Sequence, residues 1–118
     1  MLVPPIPESA AQLRRFPAEV RDAYGRFCTT GDIPALHVVV LAVVRDYMPR
    51  PDGLELTDGM RLIEDLGYDS LAVAETVFFL EDLLEVRIEN KELVQVRTVG
   101  ELRSFVTRKV EQKRTAAA

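Results

Sequence analysis

From Leu66 to Glu85 the chain reads Leu-Gly-Tyr-Asp-Ser-Leu-Ala-Val-Ala-Glu-Thr-Val-Phe-Phe-Leu-Glu-Asp-Leu-Leu-Glu, and this stretch limits what the rest can fold into. From Ser70 onward its apolar residues recur at helical spacing, not in strand alternation. At about 100° per residue, Val73, Thr76, Val77, Phe79, Leu80, Leu83 and Leu84 share one arc that requires a core to cover it. Opposite lies a second stripe of Leu71, Glu75, Phe78 and Asp82, flanked by Ala74, Glu81 and Glu85, so the outward face is acidic with two apolar residues set into it. Leu66 and Gly67 end the preceding segment, and Asp69 is placed to cap the helix. Ser70 therefore stands at a helix start, where free N–H groups and the positive end of the dipole favour a phosphate.

The flanking segments also read as helices. Pro17 to Cys28 predicts a short one, with Pro17 in its first turn and Val20, Tyr24, Phe27 and Cys28 on one packed face. Gly25 weakens it, and Thr29, Thr30 and Gly31 end it. Asp32 or Ile33, followed by Pro34, opens the next, which Pro49 closes. Its valines suit a strand as well, but about fifteen residues between prolines is long for one, and Leu36, Val40, Val43 and Tyr47 recur at helical spacing. Residues 49 to 69 form a long connection, anchored by Leu54 and Leu56, with one helical turn between Gly59 and Leu66. Val86 to Glu89 predicts an extended link, Asn90 caps a brief helix, and Thr98-Val99-Gly100-Glu101 is a capping box opening a last helix with Leu102, Phe105, Val106 and Val110 inward. The expected fold is all-α, with three longer helices, one short one and an extra helix in front. Residues 1–31 are read as a partly helical extension, loose up to residue 16, residues 32–112 as the bundle, and residues 113–118 as a fraying tail.

Charge is unevenly spread along the 118 residues. Residues 1–31 hold four arginines against three acids (+1), residues 32–96 five bases against fourteen acids (−9), and residues 97–118 six bases against two acids (+4). The acidic middle repels nucleic acid and attracts partners with basic patches. The twelve residues from Ile33 to Val44 are too few to cross a membrane, which needs about 20. A single cysteine, Cys28, excludes an internal disulfide framework and suits a reducing cytosol.

Asp69-Ser70-Leu71, preceded by Glu64-Asp65-Leu66-Gly67-Tyr68 and followed downstream by the Thr98 to Gly100 helix start, resembles the acyl carrier proteins. The resemblance covers about residues 33 to 110 and leaves the first thirty unmatched. It implies an acyl-carrier-like four-helix bundle in which Ser70 carries 4′-phosphopantetheine through a phosphodiester, with Asp69 and Leu71 beside it. It also implies that Leu71, Glu75, Phe78, Glu81 and Asp82 meet partner enzymes. Those partners would be a phosphopantetheinyl transferase, which takes the arm from coenzyme A, and acyl-handling enzymes of fatty-acid, polyketide or lipid biosynthesis. The family often has an acid where this chain has Ala72, which implies a different partner set. Asp69 before the serine favours acyl over peptidyl relatives.

Two other functions compete with that of a monomeric cytosolic carrier. A helical adaptor of the same shape would bind partners through Leu71 and Phe78 without modification. A serine hydrolase would need a base, and the sole histidine, His37, falls in an apolar helix, while the residues around Ser70 lack the flanking glycines of a nucleophile elbow. The amino-terminal helix is a candidate to cover Phe78, and the inner faces of the helices at 33–47 and 73–84 are a candidate slot for an acyl chain.

Overall fold

The computed structural model describes residues 12–49 and 55–117. Five helices follow in order: α1 (Ala18–Thr30), α2 (Ile33–Asp46), α3 (Ser70–Leu84), α4 (Asn90–Leu93) and α5 (Val99–Ala117). The architecture is all-α, as the periodicity predicts. Leu54 and residues 1–11, on which part of the loose-extension reading falls, lie outside the described residues.

Each boundary has a local cause. Pro17, with extended backbone, precedes α1 as its cap, and Gly31 closes that helix in the left-handed conformation at φ 76°. Asp32 opens α2, with Pro34 inside the first turn. The short α4 is capped by Glu89 and not by Asn90. Glu89 and Glu92 form a reciprocal capping box there, which a sequence search for Ser, Thr, Asp or Asn passes over. The box at α5 is the expected one: Glu101 N–H donates to Thr98 Oγ1 at 3.1 Å, and Thr98 N–H donates to Glu101 Oε1 at 3.0 Å.

One core joins the elements. Leu36, Val39, Val40, Val43 and Val44 of α2 are fully buried, together with Leu80 of α3 and Val106 of α5. The predicted inward face of α3 is buried at Thr76, Val77, Leu80, Leu83 and Leu84, and half-buried at Val73 and Phe79.

The amino-terminal segment departs from the loose lead-in expected of it. Leu13 and Phe16 are buried in the same core as Val20, Ala23 and Tyr24. Phe16 packs against the Phe79 ring with centroids 6.0 Å apart, and Tyr47 meets Phe79 from another side at 6.1 Å. Arg15 lies over both Phe16 and Phe79 and is bonded to Asp46, with Nη2 2.6 Å from Oδ2. Tyr24 donates to the carbonyl of Leu83 at 3.1 Å. The segment thus covers Phe79 and leaves Phe78 half in solvent, at 52 % exposure. Between α2 and α3, whose inner faces are the candidate slot for an acyl chain, Val39, Val40, Val43, Val77 and Leu80 are all essentially inaccessible.

One further expectation fails. Cys28 is exposed, because the buried stripe of α1 runs through Val20, Ala23 and Tyr24 and turns away from it. At the other end of the chain α5 runs on to Ala117. There Lys113 Nζ donates to the Leu84 carbonyl at 3.1 Å, placing a cation at the C-terminus of α3 where the helix dipole favours one.

Candidate functional site

Ser70 is the first residue of α3, and its position is set by the residues on either side. Upstream, Tyr68 is buried and donates its hydroxyl to the Val44 carbonyl of α2 at 2.5 Å. Burial pushes the Tyr68 phenol up to about 12, so it stays a neutral donor. The Tyr68 N–H donates to Leu62 O at 3.0 Å, and Gly67 takes a left-handed turn at φ 77° just before it. A side chain at Gly67 would be strained in that conformation and would crowd the Pro49 ring at 3.2 Å. Downstream, Asp69 caps the helix: its carboxylate accepts from the Ala72 N–H at 2.7 Å. The Ser70 and Leu71 N–H groups keep no protein acceptor among the described residues. Ser70 itself is exposed.

The connection from 55 to 69 contains the expected helical turn, with Asp65 N–H and Leu66 N–H both donating to Arg61 O at 3.0 and 3.1 Å. It is tied to the start of α5 by an isolated antiparallel bridge between Arg61 and Thr98. Leu62 N–H donates to Arg97 O, Val99 N–H to Met60 O, and Gly100 N–H to Asp58 O, each at 2.9 Å. Gly100 is required by this approach, since a Cβ there would sit 2.8 Å from the Asp58 Cβ and 3.0 Å from its carbonyl oxygen. Arg103 pairs with the Asp58 carboxylate across the same contact.

These ties leave a cleft of about 600 Å³ beside Ser70, between the 61–64 turn, the first turns of α3, and the segment from α4 to Arg97. Leu62 and Val96 in its wall are buried, and Val73 and Leu93 half-buried. Ile63 and Val94 stand at its edge, 53 % and 70 % exposed. Arg61, Glu64 and Arg97 are its charged residues. The volume lies within the range that holds small ligands, about 300–1,000 Å³. Sequence reading misses this cleft, because Ile63 and Val94 sit in short apolar pairs that look like core, whereas both stand exposed at its edge.

On the outward side of α3, Leu71 is 65 % exposed, and Glu75, Phe78 and Asp82 are exposed with it, as the helical projection predicts. Glu81 differs from the others. Its carboxylate accepts from the Ile88 N–H at 2.7 Å and folds the link between α3 and α4. His37 is not brought to Ser70: its Nε2 lies 3.0 Å from Thr107 Oγ1 in the contact of α2 with α5. Thr107 donates its own proton to Arg103 O at 2.8 Å, so the ring donates to it. A serine–histidine pair is therefore absent among the described residues. No described helix is long and apolar enough to cross a membrane.

Residues 39–106 match the family model described as the phosphopantetheine attachment site. The chain is 31% identical over 80 residues to the acyl carrier protein MbtL of Mycobacterium bovis, covering 68% of this chain and 94% of that protein. It is also 32% identical over 59 residues to the acyl carrier protein of Thermotoga maritima, covering 50% of this chain and 73% of the relative. A third relative, the acyl carrier protein of Exiguobacterium sibiricum, is 39% identical over 56 residues, covering 48% of this chain and 71% of its own length. With a helical bundle of the expected order and a family match over more than half its length, the chain belongs to the acyl carrier proteins, which are carriers with a covalently attached 4′-phosphopantetheine and not enzymes.

Proposed function

We propose that Ser70 is the attachment residue and that the chain holds acyl thioesters there and presents them to partner enzymes. The observation that carries this reading is the exposed Ser70 hydroxyl at the start of α3, opening on an apolar cleft. The local structure fits the group. Asp69 takes the Ala72 N–H, which leaves the Ser70 and Leu71 N–H groups to face a phosphodiester oxygen at the positive end of the helix. Leu71, exposed beside the serine, flanks the arm.

When bound, the group supplies a terminal thiol on which an acyl chain is held as a thioester. The chain's own part is to hold, shelter and release that cargo. Leu62, Val73, Leu93 and Val96 give the cleft an apolar wall, and each methylene withdrawn from water there gains about 0.8 kcal/mol. The outward stripe of Leu71, Glu75, Phe78 and Asp82 is the docking face, its acids meeting basic patches on a phosphopantetheinyl transferase and on acyl-handling enzymes of fatty-acid, polyketide or lipid biosynthesis. Contacts of this kind associate fast and release fast, as a shuttle between enzymes requires. The carrier acts as a monomer in the reducing cytosol, where the arm's thiol stays free.

Intact mass spectrometry after incubation with coenzyme A and a broad-specificity transferase tests the reading. One arm is expected on the native chain and none on Ser70→Ala. A folded native chain that gains no mass, or a Ser70→Ala chain that still does, would overturn it and leave an unmodified helical adaptor.

A further inference from the structure

The cleft beside Ser70 is apolar in its wall but not neutral. Of the four basic residues between 55 and 97, two, Arg61 and Arg97, line it, although this part of the chain is strongly acidic. The two differ in what surrounds them. Arg61 Nε is 3.4 Å from Asp65 Oδ2 and 3.9 Å from Glu64 Oε2, so its charge is already met by carboxylates. Arg97 has no carboxylate within ion-pairing distance of its guanidinium among the described residues. Its backbone is nevertheless fixed: Arg97 N–H donates to Glu101 Oε1 at 3.1 Å, and Arg97 O accepts from Leu62 N–H at 2.9 Å. Arg97 is exposed, so a planar five-donor group is anchored by its backbone beside a cleft that also contains the proposed attachment residue. Leu62, Leu93 and Val96 supply apolar wall next to it, so a cargo can cover that wall and still reach the guanidinium.

The geometry points to an acyl cargo that ends in a carboxylate, with Arg97 as the residue that selects it. A plain hydrocarbon chain gains from the apolar wall but offers nothing to the guanidinium. A dicarboxylic acyl group of similar length covers the same wall and delivers its distal carboxylate to Arg97 as a two-pronged ion pair. Glu64 on the opposite turn, held toward Arg61, leaves Arg97 as the cation without a partner in the cleft. This inference rests on attachment at Ser70 and names the class of cargo held there.

The test compares hexanoyl and adipoyl arms, equal in carbon count and differing in the distal carboxylate, loaded on the full chain from their coenzyme A thioesters. Hydrogen exchange of the Val73, Leu93 and Val96 amides is read at low and high salt, alongside the unacylated arm. At low salt the adipoyl form is expected to protect these amides about three-fold more than the hexanoyl form, the size of one partly exposed ion pair. The difference should vanish in Arg97→Gln, persist in part in Arg97→Lys, and fall with salt. Equal protection by both cargoes, or an adipoyl advantage that survives Arg97→Gln, overturns the inference while leaving the carrier reading intact. An Arg97 side-chain signal that moves fully on adding the unacylated arm assigns the guanidinium to the phosphodiester and also overturns it. A chain that takes no arm overturns the carrier reading and this inference together, and the mass spectrum separates that outcome from the others.

Discussion

At the scale of single residues, no buried side-chain donor or acceptor is left unpaired among the described residues. Tyr68 shows why that matters for the site: its bond to Val44 O holds the peptide two residues before Ser70 against α2. His37 is a residue whose surroundings make stability depend on pH near neutrality. Burial and the neighbouring Arg103 push its imidazole below the ordinary 6.5, and the nearby Asp58 opposes them only in part. Protonation therefore favours the unfolded chain. Stability is complete above the unfolded value of 6.5, falls as pH drops below it, and levels off once the lower folded value is passed. The carboxylates of Asp65, held down by hydrogen bonds from Arg61, and of Glu92, held down by the Glu89 N–H and Lys109, work in a separate window. They stabilise above their unfolded values and lose that contribution only in stronger acid. Urea unfolding from about pH 7.5 to about pH 5.5 should show a decline that His37→Gln removes.

At the scale of elements, α3 carries both Ser70 and the outward stripe proposed for docking, and one of its acids is also bonded within the fold. The family resemblance implies Glu81 among the partner contacts, and helical projection sets it at the flank of the outward stripe. Its bond to the Ile88 N–H also turns the chain into the link that leads to α4, one wall of the cleft. Glu81→Ala removes that acceptor and should cost about 1–2 kcal/mol in urea unfolding. Glu81→Gln keeps an acceptor oxygen while removing the charge. Its rate of arm transfer at low salt is expected to fall less than that of Asp82→Asn, whose carboxylate is exposed on the stripe. Kinetics of transfer for the two variants, measured side by side, decide between a folding role and a docking role for Glu81.

For the whole molecule, the amino-terminal segment is part of the core that holds α2 and α3 together. Leu13, Phe16, Val20 and Tyr24 are each at least 94% buried, and Tyr24 reaches the last turn of α3 through Leu83 O. Burying one such side chain is worth roughly 1.5–3 kcal/mol, and the net stability of a small domain is only about 5–15 kcal/mol. A chain beginning at Asp32 should therefore lose its cooperative thermal transition or melt far lower than the full chain. A truncated chain melting at the same temperature would mean that the segment contributes nothing to the shared core. The same packing leaves the cleft on the α4 side of α3, since on the α2 side Phe16, Tyr24 and the valines of α2 fill the core.

Much of this was legible in the residues alone, because helices, caps and an exposed serine at a helix start depend on local spacing and local hydrogen bonds. The capping box at Thr98, the Asp69 cap, the buried arc of α3 and the outward placement of Leu71 and Phe78 all follow from positions within a few residues of one another. What the sequence could not decide is which surface each exposed or spare apolar residue meets. The burial of Leu13 and Phe16, the choice of Phe79 over Phe78 as their partner, and the cleft flanked by Arg97 all come from contacts between distant segments. Those contacts are set by how the helices pack and by the Arg61–Thr98 bridge, and neither leaves a periodic trace in the chain.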